Sequence, residues 1–207
     1  MALSDANKAG VALFLGVVQF GIFEMVAEFV YPNYSVSANY ISDLGPPCSN
    51  GTTCPTQTSW IIFDTSIAVM GIAILVSAYF LYRYFQWKPI AGLVGIAGIG
   101  AVGVGVFNES APYSLHDLFS LIVFLGIGLT ALVSYRLQKP PLGYFSVILG
   151  LVTLVALVLY IPDTGVTVGS DLGIGAGGLE RMIVYPVLFW SIAFSGHLMA
   201  LAEPAKA

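Results

Sequence analysis

Two groups of ionisable residues lie within or beside long apolar stretches of this chain. Glu24 and Glu28 are four residues apart, so they share one face of a predicted helix. A carboxylate at that depth costs several kcal/mol, by an order-of-magnitude estimate of about 3, unless it is protonated, paired or hydrated. The pair is therefore either a proton or cation site, or a hydrogen-bonded contact that fixes helix packing.

His116 and Asp117 open another apolar stretch. A histidine at a helix start can be a general base, a metal ligand or an interfacial residue. Ser114 and Asp117 have the spacing of a helix capping box, with Asp in place of the usual Glu. Ser120 lies one helical turn after His116, and a Ser-His nucleophile needs an acidic third partner. The candidates for that partner are Asp43, Asp64 and Glu28.

Two further motifs carry polar side chains outside the apolar stretches. The run "YISDLG" begins at Tyr40 and places Ser42 and Asp43 before a glycine, which is also typical of an ordinary turn. The run "GLER" places Glu180 and Arg181 at the start of the last apolar stretch. The negative charge of Glu180 suits a helix N-terminus. We expect Arg181 to pair with Asp43 or Asp117, or to bind an anionic head group.

The composition indicates whether these residues are surrounded by water or by lipid. The chain has 207 residues, of which 57% are hydrophobic and 9% charged, against about 25% charged in a typical soluble domain. Six stretches are long enough to cross a bilayer, and the first is interpreted as a membrane helix rather than a signal peptide. We predict one all-α domain, a polytopic six-helix transmembrane bundle, with spans at about 9–30, 60–84, 90–107, 115–135, 142–161 and 179–202.

The basic residues predict how the bundle is oriented. All but Arg181 fall on one side of the predicted spans, which the positive-inside rule makes cytoplasmic. Both termini are then cytoplasmic, and the expected location is the plasma membrane. The residues on the predicted inner side are Lys8, Arg83, Lys88, Arg136, Lys139 and Lys206.

The predicted outer side has its own signals. Cys48 and Cys54 lie in the first outer loop, 31–59, and on an oxidising face they are expected to form a disulfide. Three Asn-x-Ser/Thr triplets fall on the same side, which favours glycosylation there; they begin at Asn33, Asn50 and Asn108. Most carboxylates also lie at this face or in the outer halves of the spans, Asp64 among them, and an acidic face attracts cations.

Cofactors are not predicted. His116 and His197 are the two histidines of the chain, and they lie at opposite predicted membrane depths, so they cannot share one haem iron. A three-histidine zinc site is excluded by the same count, whereas a mixed Asp/Glu/His metal site stays open. The expected partners are membrane lipids and membrane-protein subunits, and no nucleic-acid partner is predicted.

The ordered motifs resemble an uncharacterised membrane family, domain of unknown function 998. The resemblance rests on "Y-x-x-x-x-N-Y-I-S-D-L-G" from Tyr34, then "HD" at His116, then "G-L-E-R" from Gly178, and it covers nearly the whole chain. The run "ISDLG" is also distantly similar to "ISDTG" of the Frag1/DRAM/Sfk1 membrane family. The resemblance implies a six-span fold whose motifs gather at the outer face, and it brings no reaction with it.

Three functions are compatible with these residues. The first is an integral membrane protein that binds a lipid head group or a partner protein at a polar outer site, as an accessory subunit in the second case. The second is a lipid-directed hydrolase or transferase, with Asp43, His116 and Asp117 as acid/base or metal groups. The third is a proton or cation pathway through Glu24 and Glu28, although no acid in the inner half continues that path.

Overall fold

The computed structural model describes residues 3–45, 58–160 and 173–201, and all regular structure within those ranges is helical. Six helices are each long and apolar enough to cross a membrane, which confirms the predicted all-helical class with six candidate spans. They are α1 (Asp5–Val30), α2 (Ser59–Phe85), α3 (Lys88–Val106), α4 (Leu115–Ser134), α5 (Leu142–Tyr160) and α6 (Ala176–Met199).

Several helices begin earlier than their apolar stretches. Helix α1 starts at Asp5 because Ser4 caps it: the Ser4 hydroxyl accepts the N–H of Asn7 at 3.0 Å, and the Asn7 side chain accepts the N–H of Ser4 at 3.2 Å. Helix α3 starts at Lys88, with Pro89 in its first turn, where the missing proline N–H has no intrahelical partner to lose. The length of an apolar run therefore sets the span but not the helix ends.

The helices form a ring in chain order. Each helix packs against the next one along the chain, and α6 closes the ring by packing against α1. Large apolar side chains also cover the outside of the ring, for example Phe29, 88% exposed, and Phe189, 62% exposed. Such a surface suits contact with lipid tails, since apolar side chains have no polar groups that hydrocarbon would leave without hydrogen bonds.

Small residues bring α3 close to both of its neighbours. A Cβ atom on Gly100 would lie 2.6 Å from the backbone nitrogen of Val123 in α4, and one on Gly105 would lie 2.6 Å from the backbone oxygen of Asp64 in α2. Ala97 and Ala101 on the same helix are fully buried. Close backbone approach of this kind is how helices gain packing energy in lipid.

Polar contacts join the chain segments at one end of the ring. The Arg83 guanidinium lies 3.0 Å from the carboxylate of Asp5, and the Asn7 amide donates to the backbone oxygen of Met199 at 2.7 Å. His197 Nε2 lies 2.9 Å from the backbone oxygen of Leu137. We call this the basic end, because the described lysines and all described arginines but one lie here: Lys8, Arg83, Lys88, Arg136 and Lys139.

Candidate functional site

At the other end of the ring, the chain between α1 and α2 folds against the start of α6. The Gly177 N–H donates to the backbone oxygen of Ser37 at 2.9 Å, and the Ser37 hydroxyl donates to the backbone oxygen of Ile174 at 2.8 Å. A Cβ atom on Gly175 or Gly177 would collide with the backbone of Ser37 or Asn39. Glycines at the start of α6 therefore allow the 31–45 segment to lie directly on the helix.

The Glu180 carboxylate binds the next part of that segment, around Ile41 and Ser42. It accepts hydrogen bonds from the backbone N–H groups of Ile41 and Ser42, and the Glu180 side chain is almost fully buried. Those N–H groups lie at the start of a 3-10 turn, Ser42–Leu44. A carboxylate at such a start satisfies donors that have no partner within the turn. Glu180 thus acts as a cap that is supplied by a different helix.

Arg181 fixes the first part of the same segment. One terminal nitrogen of its guanidinium donates to the backbone oxygens of Val36 at 2.9 Å and Asn39 at 3.2 Å. The other donates to the hydroxyl of Tyr34 at 2.7 Å and forms an ion pair with Glu28. The expectation that Arg181 pairs with Asp43 or Asp117 is wrong, because the rotation of α1 in the ring turns Glu28 toward α6.

The other polar groups of "YISDLG" make contacts that stabilise the 31–45 segment. The Asp43 carboxylate accepts the Tyr40 N–H at 2.9 Å and the Asn39 side-chain amide at 3.0 Å, which closes a local turn. The Tyr40 ring packs edge-on against Tyr160, with the ring centres 5.7 Å apart. The Tyr34 hydroxyl donates to the Tyr40 backbone oxygen at 2.8 Å, and burial raises the pKa of that hydroxyl.

His116 is buried at the start of α4, with its Nδ1 2.9 Å from the backbone oxygen of Phe107. In the neutral ring, Nδ1–H donates to that oxygen and Nε2 keeps a lone pair. The predicted capping box is wrong: Ser114 makes no side-chain cap bond, and Tyr113 and Ser114 have left-handed backbones with φ of 61° and 49°. An N-cap needs an extended backbone instead. Asp117 is exposed to solvent.

Glu109 is a site residue that the sequence did not single out. It lies between α3 and α4, and its carboxylate accepts a hydrogen bond from Ser42. Partial desolvation raises the pKa of Glu109, and the nearby charge of Asp43 adds to the effect. The signal that could have found it was its place seven residues before His116 in the same connection, directly after Asn108.

The three carboxylates that the sequence predicted within the spans, Glu24, Glu28 and Asp64, make separate contacts. Glu24 is almost fully buried and accepts the hydroxyl of Tyr185 at 3.0 Å, whereas Glu28 pairs with Arg181. Asp64 accepts the side-chain amide of Asn108 at 3.2 Å. Each carboxylate therefore joins two chain segments, an arrangement that favours the packing interpretation of Glu24 and Glu28 over a shared ion site.

A cavity begins beneath the 31–45 segment and runs into the ring. Its volume is about 70 Å³, counted as space for the centres of water-sized groups. At one end it is lined by four polar residues, which we call the polar mouth: Ser42, His116, Ser120 and Glu180. Most of the remaining lining is apolar and comes from α1, α2, α3, α4 and α6; Phe20, Ile67, Val104, Ile127 and Val184 are examples. Three sequence motifs thus contribute to one cavity.

The remaining predicted features stand apart from the polar mouth. Within the described ranges, no group of three or more His, Cys, Asp or Glu side chains has the arrangement of a metal site. Asn33 is exposed with φ of 58°, and the Asn108 side chain also accepts a bond from the Ser110 hydroxyl at 2.5 Å. Cys48, Cys54 and Asn50 lie outside the residues that the structure describes.

Comparison with known proteins gives one finding. A family model described as "Protein of unknown function (DUF998)" matches residues 14–197. No curated protein and no solved structure matches the chain.

Proposed function

From the geometry of this chain, which belongs to the DUF998 family, we propose that the protein binds an amphipathic lipid. The description of the family assigns no activity. One observation carries this proposal: a single cavity has polar side chains at one end and an apolar lining along most of the rest. The polar group of the lipid lies at the polar mouth, and its chain enters the ring.

The dimensions favour a narrow ligand. A water-sized group needs about 10–15 Å³ by the same measure of volume, so 70 Å³ accommodates roughly five such groups in a row or cluster. Bonded methylene groups overlap along a chain, so the same space holds more of them than separate water molecules. One unbranched hydrocarbon chain therefore fits better than a two-chain lipid.

The proposed orientation follows the charges. The basic end faces the cytoplasm, both termini are cytoplasmic, and the polar mouth faces outward across the plasma membrane. In this orientation Cys48 and Cys54 meet an oxidising medium and form a disulfide. Membrane-impermeant thiol reagents, applied to whole cells before and after reduction, test both points: labelling at Cys48 and Cys54 without prior reduction would contradict the disulfide.

A lipid-directed hydrolase is the second candidate, and the orientation of His116 favours it. A backbone carbonyl holds Nδ1, as a general base requires, and Ser120 lines the same cavity one turn away. The version that uses Asp43 has less support, because Asp43 bonds to its own turn. Hydrolysis of fluorogenic short-chain esters that is lost in both His116→Gln and Ser120→Ala would favour the enzyme.

A matched pair of substitutions on α2 tests lipid binding. Ile67 lines the cavity and is 7% exposed, whereas Ile72 faces outward and is 55% exposed. Ile67→Trp fills the cavity, and Ile72→Trp adds the same ring to the lipid-facing surface. Each protein is purified from native membrane in mild detergent, and the lipids that remain bound are quantified by mass spectrometry.

We expect one lipid class to be enriched on the wild type and on Ile72→Trp, and to be lost from Ile67→Trp. Identical lipid profiles for all three proteins would overturn the proposal. Val184→Phe is a second cavity-filling variant for use if Ile67→Trp does not fold. A stoichiometric protein partner in place of a lipid would identify the chain as an accessory subunit.

A further inference from the structure

The charges around the polar mouth are unbalanced. Glu180 lines it, and the Glu109 carboxylate is joined to it through Ser42. Asp43 and Asp117 add negative charge close to Glu109. The nearest described cation is Arg181, which acts on Glu180 but also pairs with Glu28, so carboxylates still outnumber cations around the mouth.

The hydrogen-bonding groups of the mouth are mostly acceptors. The Ser42 hydroxyl donates to Glu109, which leaves its oxygen lone pairs as acceptors. His116 Nε2 carries a lone pair when Nδ1–H donates to Phe107. The Glu180 carboxylate accepts two backbone N–H groups and has capacity for more. A ligand group with several N–H donors therefore matches this mouth, and one with only acceptors does not.

The other described cations cannot reach an anionic head group here. Lys8, Arg83, Lys88, Arg136 and Lys139 belong to the basic end, across the length of the helices. A phosphate or carboxylate at the mouth would thus lose its hydration without gaining a partner of opposite charge. This argues against the anionic head group that Arg181 suggested from the sequence.

We infer that the lipid bound in the cavity is a single-chain amine, whose ammonium group lies at the polar mouth between Glu180, His116 and Ser42, close to the Glu109 carboxylate. The inference rests on the proposed lipid-binding function and adds the chemical class of its ligand. An ammonium supplies three donors and one positive charge. Its apolar chain then lies along the lining of the ring interior.

Binding of an amine should depend on the ionisation of Glu109. The groups that act on this carboxylate are the Ser42 hydroxyl, which donates to it, the carboxylates of Asp43, Asp117 and Glu180, and the His116 ring when it is protonated. Partial desolvation raises the pKa of Glu109, so it loses its charge at a higher pH than an ordinary glutamate. Amine affinity should fall as the pH decreases through that raised pKa, because the attraction to one carboxylate is lost.

A series of ligands with equal chains tests the inference. Octylammonium, 1-octanol and octanoate are titrated by calorimetry against the protein in phosphatidylcholine nanodiscs, and binding that is absent from Ile67→Trp counts as cavity binding. The matched charge variants are Glu109→Gln, which keeps an acceptor for Ser42, and Asp117→Asn, which removes an exposed charge from the same end.

We expect octylammonium to bind at least about tenfold more tightly than octanoate, which is the difference that one charge-assisted hydrogen bond can produce. Glu109→Gln should weaken octylammonium binding about tenfold, because the Glu109 carboxylate is bonded to Ser42 in the cavity lining. Asp117→Asn should weaken it less than about threefold, because Asp117 is not among the residues that line the cavity and its charge is screened. Equal cavity binding of all three ligands, or a preference for octanoate, would overturn the inference and leave the proposed function standing. If none of the three shows cavity binding, the proposed function itself fails.

Discussion

The carboxylate of Glu180 accepts the backbone N–H of Ile41, although the two residues are 139 positions apart in the chain. The bond joins the second turn of α6 to the connection that follows α1. It also lies at the polar mouth, since both residues line the cavity. The contact that orders the 31–45 segment is therefore part of the proposed binding site.

Glu180→Gln should destabilise the protein by about 1–3 kcal/mol, the cost of leaving a buried donor without its acceptor. The side-chain oxygen of a glutamine can accept a hydrogen bond from one of the two backbone N–H groups, but the glutamine NH₂ group then faces the other N–H group. The free energy of unfolding, measured in mixed micelles with increasing SDS, reports the change. Asp117→Asn is the control, because it removes one charge from an exposed side chain and should alter stability by less than about 0.5 kcal/mol. Equal stability of the wild type and Glu180→Gln would refute the capping role.

Arg181 and Glu28 should show a strong energetic coupling. Glu28→Gln leaves the buried Arg181 guanidinium without its counter-charge, and Arg181→Met leaves the partly buried Glu28 carboxylate without its own, so each single variant should be less stable than the wild type. The double variant should be less destabilised than the sum of the two, by roughly 1–3 kcal/mol. A double-mutant cycle from the same unfolding measurement gives this number. Additive effects would mean that the guanidinium acts mainly through the backbone oxygens of Val36 and Asn39.

Two glycines of α3 should respond in opposite directions to alanine. Gly100→Ala places a methyl group 2.6 Å from the backbone nitrogen of Val123, so α3 and α4 must separate, at a cost of about 1–3 kcal/mol. A Cβ atom added to Gly92 would meet nothing within 4 Å beyond the backbone of its own helix. Gly92→Ala should therefore leave stability unchanged or raise it by up to about 1 kcal/mol, because alanine favours the helix. Comparable losses in both variants would argue against close packing of α3 on α4.

Glu109 should make the stability of the protein depend on pH. Its folded-state pKa is raised above the value of about 4.3 expected in the unfolded chain. The protonated form therefore favours folding: this contribution is complete below about pH 4 and is lost as the pH rises through the raised pKa. Glu109→Gln should match the wild type at low pH and become relatively more stable at neutral pH. Thermal unfolding between pH 4 and 8 tests this, and parallel curves for the two proteins would contradict it.

The sequence predicted the helices well, because the length of an apolar run is set by the thickness of a bilayer. It predicted their ends less well. Polar residues such as Asp5 and Lys88 continue a helix beyond the apolar run when a cap or an N-terminal proline supports it. Hydrophobicity contains no information on such local bonds.

For the candidate site, the sequence located the motifs but not all of their partners. Ser42, His116 and Glu180 belong to three predicted motifs, and they line one cavity. The partner of Arg181 depends on how α1 is rotated about its own axis, which two glutamates four residues apart do not determine. Glu109 has no helical pattern around it, so only the folded connection shows that it bonds with Ser42.

The position of Glu180 and Arg181 in the last helix has a consequence for biogenesis. During synthesis the 31–45 segment leaves the ribosome long before the side chains that anchor it. Until α6 inserts, that segment has no cap for the Ser42–Leu44 turn and no guanidinium for its carbonyl oxygens. The polar mouth is therefore complete only after α6 has packed against the other helices of the ring. A nascent chain that stops before α6 therefore presents an open ring in which the 31–45 segment has none of these anchors.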